Sequence, residues 1–338
     1  MIRFALSFVS LAVPLLPYTE SALAEFSCPR VRRNVTLYED CDQLVVAADG
    51  VTVNLNGHTV SGIRLLDRSN VTIRNGSVTL SDDGRIEIQG GGNNVLRELA
   101  VDSENTDPRA FEIRNSTNNR LLHISMNANM GGSGLTIGGR GNLLSDSRFI
   151  RDEEGEGALL SIGSFNSARR NVVISKHSGN AVALGGSTLF EDNAILFQPS
   201  EFSSPSNSAP VALNIYGMNA IARDNFISVS RSGSEGSFED DALTSIRVRG
   251  ARNTLERNSI WITPADNNGF GASTGTEGIS LGFGARRNLV RRNWIAESST
   301  SNPEDASSIT IAGAFNRVSD NSVEHIYVSG RSNLLERN

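Results

Sequence analysis

The sequence predicts an all-β solenoid, a single-domain right-handed parallel β-helix of about eleven coils, on three observations. A unit of about ten residues recurs along the chain, its early period is 22 to 25 residues, and its aliphatics alternate in short runs. The clearest copy is Asn253–Ile262, NTLERNSIWI, in which Leu255 stands three residues before Asn258 and Ile260 and Ile262 follow. The unit returns as NVTIRNGSVTL from Asn70, STLFEDNAILF from Ser187, NLVRRNWIA from Asn288 and NRVSDNSVEHI from Asn316. Placing the second asparagine or its substitute in register gives Asn75, Leu99, Ile124, Ser147, Asn171, Asn193, Asn225, Asn258, Asn293, Asn321 and Asn338. Self-similarity at this period means a solenoid. A leucine-rich horseshoe would need several leucines and a helical return in each repeat. Here β-branched residues and glycine lie between the aliphatics, so each repeat is strands and turns. Parallel crossovers set the right-handed sense. Asparagine is expected at the left-handed corner, its amide bonded to the next coil in a structural ladder.

These asparagine-cornered coils resemble those of pectate-lyase-type β-helix proteins. The opening LVVAADGVTVNLNGHTVSG, Leu44–Gly62, resembles the first coils of bacterial secreted and periplasmic β-helix repeat proteins. The resemblance covers nearly the whole chain after its leader. It implies fold more than activity, because that family holds polysaccharide lyases, hydrolases, uronate epimerases, accessory proteins and adhesins.

From the N-terminus, Met1–Ala24 reads as a secretory signal: one early charge, an apolar run, and Ala22-Leu23-Ala24 before Glu25. The β-helix domain then spans 25–338, with 25–62 as N-terminal cap and first coil. No later run approaches the roughly 18 apolar residues of a membrane span, so a secreted or periplasmic protein is expected. The net charge of −6 gives no reason to expect a nucleic-acid partner. Cys28 and Cys41 are the only cysteines, and in an oxidising compartment they are expected to form a disulfide pinning the cap. In the first full coil Val51, Val53 and Leu55 should point inward.

Each coil carries a further strand, from AFEIRN through ALNIYG and SIRVRG to SITIAG. Alternation places Leu213, Ile215, Ile246, Val248, Ile279 and Leu281 in the core. One outward row then runs Glu112, Thr136, Ser161, Ala183, Asn214, Arg247, Ser280, Thr310 and Tyr327. A second runs Arg114, Gly138, Gly163, Gly185, Tyr216, Arg249, Gly282, Ala312 and Ser329. After Asn193 the coil steps lengthen to 32, 33, 35 and 28 residues. The excess falls at one point of the repeat, in Gln198–Pro210, Arg231–Thr244, Thr263–Glu277 and Ser298–Ser307. Four insertions at one angular position should stack into a wall, and long loops in a compact repeat fold are usually functional.

Beside that wall the small residues give way to Asn214, Tyr216, Arg247 and Arg249. Enzymes that remove the proton α to a uronate carboxylate must first neutralise its charge. Arg247 and Arg249 suit that task through bidentate geometry, and Glu239, Asp240 and Asp241 form a candidate Ca²⁺ site. Tyr216, His177 or Lys176, the only lysine, would move the proton. Asn214, Ser280 and Thr310 would line the groove. By the family resemblance, an arginine can itself be the base, which gives Arg249 that alternative role. The bland alternative is equally concrete: outward arginines beside acidic loops form surface ion pairs of little worth. Trp261 and Trp294 point outward, where they either stack on sugar rings or serve no purpose. Asp240-Asp241 is followed by neither the Gly-His-Gly turn nor the Arg-x-Lys strand of polygalacturonase-like hydrolases. The Asp-Pro-His-Asp motif of alginate epimerases is absent too. The expected function is an eliminating lyase on an acidic polysaccharide, with a non-catalytic glycan-binding or cell-envelope module as the alternative. The last coil, with Arg331, Glu336 and Arg337, is expected either to self-associate end to end or to be blunted by those charges.

Overall fold

The computed structural model describes residues 28, 30–81, 83–104, 110–128, 134–152, 157–176, 179–199, 210–230, 243–263, 277–297 and 308–338. Within them every regular element is a β-strand, and every pairing between strands is parallel. The chain winds as a right-handed parallel β-helix. One coil shows the plan: Thr254–Glu256 lies in a first sheet, Ser259–Thr263 in a second and Glu277–Leu281 in a third. In early coils the first two sheets run on as single strands, Thr72–Leu80, Val95–Ser103 and Arg120–Ala128. The expected segment 1–24 lies outside the described residues. Cys28 and Cys41 are joined by a disulfide.

The core is a set of straight aliphatic columns. Along the third sheet Leu135, Leu160, Val182, Leu213, Ile246, Ile279 and Ile309 stack in register, all fully buried. The first sheet stacks Leu144, Ala168, Phe190, Ala222, Leu255 and Val290 in the same way. Val51, Val53 and Leu55 are buried as alternation requires. Each coil's apolar strip is covered only by its neighbours, so burial is shared along the axis.

The asparagine ladder is present, and it is one of two. The first runs Asn171, Asn193, Asn225, Asn258, Asn293, Asn321 and Asn338, each Nδ2 donating to the next Oδ1 at 2.9 to 3.1 Å. Five residues earlier in each coil stands a second ladder. It holds Asn94, Asn119 and Asn142, and then Asn288, Asn316 and Asn333. Thr188 and the buried Ala220 occupy its middle. Each ladder Oδ1 also accepts the backbone N–H of the preceding rung, as Asn258 does from Asn225 at 3.2 Å. A buried carboxamide is therefore fully used.

The corner chemistry differs from expectation. The left-handed residue is the one before the ladder asparagine, as in Arg252 and Arg257 (φ 58° and 53°), while Asn253 and Asn258 stay outside that region. The preceding residue makes the bend, and the asparagine that follows is buried. The early register also shifts by one. Asn75 is the left-handed residue (φ 59°), and Gly76 is the position paired with Leu99. A side chain at Gly76 would meet the Leu55 Cβ at 2.3 Å, so the first rung carries none.

Exposed charges on the left-handed corners pair between coils: Arg170 with Asp146, Arg257 with Asp224 and Arg337 with Asp320, at 2.7 to 2.8 Å. The Arg170 hydrogen bonds hold the Asp146 carboxyl down at about 2. Arg337 and Glu336 are thus tied back to the preceding coil, Glu336 through Arg317 at 2.7 Å. Among the described residues no helix is long and apolar enough to cross a membrane.

Replacing Asn258 by leucine tests the ladder. It would leave the buried Asn225 backbone N–H without its acceptor and remove one partner each from the Asn225 Nδ2, the Ala222 carbonyl and the Asn293 Oδ1, which keeps the Asn258 backbone N–H. Urea denaturation should show a loss of about 3 kcal/mol or more, against less than about 0.5 kcal/mol for the partly exposed Ser259→Ala change.

Candidate functional site

The third sheet carries the residues that the sequence singles out. Its strands Ala183-bearing Asn180–Leu184, Val211–Ile215, Thr244–Val248, Glu277–Leu281, Ser308–Ile311 and His325–Val328 pair in register. Ala183, Asn214, Arg247, Ser280, Thr310 and Tyr327 therefore form one outward row, as alternation predicts. The second row is also as expected. Tyr216, Arg249, Gly282, Ala312 and Ser329 each donate a backbone N–H across to the preceding strand's carbonyl. Successive members of a row are about 4.8 Å apart, and Arg247 and Arg249 are about 7 Å apart along one strand.

Four candidate residues thus converge: Tyr216 beside Arg249, and Asn214 beside Arg247. Arg247 is half-buried, with Nη2 donating to the Thr244 hydroxyl at 3.1 Å. Arg249 and Tyr216 are exposed, and among the described residues the Arg249 guanidinium has no hydrogen-bond or ion-pair partner. Asn214 Oδ1 is enclosed and, among those residues, likewise lacks one. Beyond Arg249 the floor is open. A Cβ at Gly282 would meet nothing closer than the Val248 carbonyl at 3.7 Å.

Lys176 does not join this group. It sits at the end of a second-sheet strand with Nζ 3.0 Å from Asp152. The third-sheet residue of its coil is Ala183, two rungs short of Arg247. His177, Glu239, Asp240 and Asp241 lie outside the described residues, and no cluster of metal-ligating side chains occurs within them. The four long insertions also lie outside them, but their anchors are clear. Residues 200–209, 231–242, 264–276 and 298–307 each join the second sheet to the third at the same corner of successive coils.

Two features were not foreseen. On the second sheet, across the insertion corner from the arginines, Trp261 and Trp294 lie with ring centroids 5.8 Å apart. Phe226 shares the Trp294 row, and all three are exposed. Their alternation was legible, their clustering was not. The second feature concerns Arg114, which the sequence sets among outward residues of the lean coils. Its Nη2 reaches the buried Glu87 carboxylate and Gln89, both at 2.6 Å, and Arg64 binds Glu87 from the other side. Arg114 is thus part of a cross-coil network, not a bare surface charge.

No protein-family model and no curated protein matches the chain. Among solved structures it is similar to PfbA, a surface adhesin of Streptococcus pneumoniae, at 12% identity and a TM-score of 0.44, over 89% of this chain and 82% of that one. It is similar to DFA-IIIase from Arthrobacter chlorophenolicus A6 in complex with DFA-III, at 10% identity and 0.45, over 89% and 86%. The A-module of the mannuronan C-5 epimerase AlgE4 from Azotobacter vinelandii aligns at 10% identity and 0.38, over 90% and 91%. Likeness of this degree assigns no activity.

The two kinds of arginine should separate by thermal denaturation. Arg114→Ala leaves the Glu87 carboxylate short of its closest donor and should cost about 2 kcal/mol. Arg249→Ala breaks no side-chain hydrogen bond or ion pair among the described residues and should leave the melting temperature within error.

Proposed function

We propose that the chain is an exported polysaccharide-active protein whose site is the outward face of the third sheet, and that it cleaves an acidic, uronate-containing glycan by β-elimination. The observation that carries this is the register: Arg247 and Arg249 on one strand, flanked by Asn214 and Tyr216, between two small neutral stretches of the outward row, Thr136 with Ser161 and Ala183 on one side and Ser280 with Thr310 on the other. A glycan laid along the axis would meet these side chains in succession. The disulfide supports export, since such bonds persist in oxidising compartments.

In this mechanism a uronate carboxylate rests against Arg247 and Arg249. Their charge stabilises the dianionic character that builds up as the C5 proton leaves. Tyr216, as its phenolate, takes that proton; in the alternative, a neutral Arg249 takes it and Arg247 alone supplies the positive charge. The C5–H pair becomes the C4–C5 double bond, the C4–O bond breaks with its electrons, and the departing oxygen gains a proton from solvent or the same group. Ca²⁺ at Glu239, Asp240 and Asp241 would supply further neutralisation, a part of the proposal tested by chelation.

The exposed Trp261, Trp294 and Phe226 favour a second reading, a non-catalytic glycan-binding or envelope module. Aromatic faces of this kind hold sugar rings without chemistry. End-to-end self-association belongs with that reading. It would use Val328, Leu334 and Leu335, which the last coil exposes.

Incubation with pectate, alginate and other uronate polymers, followed by absorbance in the near-ultraviolet, decides between them. Lyase activity should fall about tenfold or more in Arg247→Ala and in Arg249→Ala, the cost of a charge-assisted contact. Binding without new absorbance on every polymer leaves the module and removes the lyase.

A further inference from the structure

The corner opposite the insertions, where the third sheet turns into the first, holds an open cavity of about 390 Å³ near the last coils. That is within the range of small-molecule sites, roughly 300–1,000 Å³. Its walls include Phe283, Arg286, Phe315 and Arg331, with Ala312, Ala314 and Ser329 between them. Ala312 and Ser329 also belong to the second outward row of the third sheet, so the cavity opens onto the candidate groove.

Its construction is local and readable. Where neighbouring coils pass from the last core residue of the third sheet to the ladder asparagine in five residues, from Val248 to Asn253 or Ile311 to Asn316, one coil takes seven, from Leu281 to Asn288. Phe283-Gly284 accounts for the excess, and Phe283 stands 92% exposed. Arg286 and Ala314 are bridged on adjacent coils, and Phe315 N–H bonds to the Arg331 carbonyl on the next. The two arginines therefore flank Ala314 along one row, about 10 Å apart.

An earlier coil provides the comparison. Arg140 and Phe165 hold the same relative positions as Arg286 and Phe315, each arginine preceding a left-handed corner and each phenylalanine forming the next one. There the guanidinium lies over the ring, 4.9 Å from its centroid. Among the described residues Arg286 makes no such stack, and neither Arg286 nor Arg331 has a hydrogen-bond or ion-pair partner for its side chain. Two planar cations, each without a side-chain partner among the described residues, and two exposed rings line one depression.

We infer that this cavity is a subsite for a single uronate ring. Arg286 and Arg331 bind its carboxylate with paired N–H donors, and Phe283 and Phe315 pack against the C–H face of the sugar. This deepens the proposed groove by adding a subsite to it, and it rests on that groove taking an acidic glycan. A carboxylate between the two cations accounts for their having no side-chain partner among the described residues.

The test uses the full chain and two kinds of probe. Binding of galacturonate, glucuronate and mannuronate monomers, and of their short oligomers, is followed by calorimetry and NMR. Galactose serves as the uncharged control. At least one monomer should bind, and Arg286→Ala or Arg331→Ala should weaken it about tenfold, corresponding to about 1.4 kcal/mol. Phe283→Ala should weaken it with an unchanged melting temperature, because that side chain touches no core. Arg247→Ala should weaken oligomer binding. Oligomer binding that depends on Arg247 but not on Arg286 or Arg331 would overturn the subsite and keep the groove. Monomer binding that depends on Arg286 and Arg331, with oligomers indifferent to Arg247, would keep the subsite and overturn the groove. No binding of any monomer, or equal binding of galactose, overturns the subsite outright.

Discussion

Everything in this protein depends on each coil being laid on the one before it in register, and the buried asparagine amides are what hold the corners to that register. A parallel coil cannot pair within itself, so its backbone groups are satisfied only by its neighbours. At the corners, where strand pairing lapses, the carboxamides of Asn225, Asn258 and Asn293 accept one backbone N–H and donate to the next amide. They offset the cost of two left-handed residues per coil, about 1–2 kcal/mol each for side chains such as Arg252 and Arg257. A slip of one residue would bury the outward rows and expose the core.

Register also explains how such a body can acquire a site without risking its fold. Inward positions are spent on aliphatic columns, whereas outward positions on the third sheet touch mainly their own row. That row changes character along the axis with no change in the core beneath it. It begins with the Glu87, Gln89 and Arg114 network, passes through small neutral residues, and reaches Arg247 and Arg249. Extra residues are tolerated only at corners. Short ones such as Phe283-Gly284 make a local ridge, and long ones fall where the second sheet passes to the third. The third-sheet floor lies between these two corners.

How much of this was legible follows from range. Period-two alternation is a local property, so both outward rows, the core columns and the clustering of Asn214, Tyr216, Arg247 and Arg249 could be read directly. The disulfide followed from two cysteines alone. The second ladder was hidden because Thr188 and Ala220 break it, although every copy beginning with asparagine was a sign of it. The left-handed residue was misplaced because Asn70, Asn75, Asn93 and Asn118 do occupy it in early coils, whereas Arg252, Arg257 and Asp224 take it later. Contacts between coils were out of reach. Nothing local says that Arg114 meets Glu87 across 27 residues, that Lys176 is held by Asp152, or that Trp261 meets Trp294.

An acidic glycan along the third sheet is the central proposal, and a crystal structure of the protein soaked with a uronate oligomer tests it most directly. It should show sugar density running parallel to the helix axis over Arg247 and Arg249, with a carboxylate within hydrogen-bond distance of one guanidinium. Density lying instead on the second sheet over Trp261 and Trp294, with the arginines bare, would contradict it.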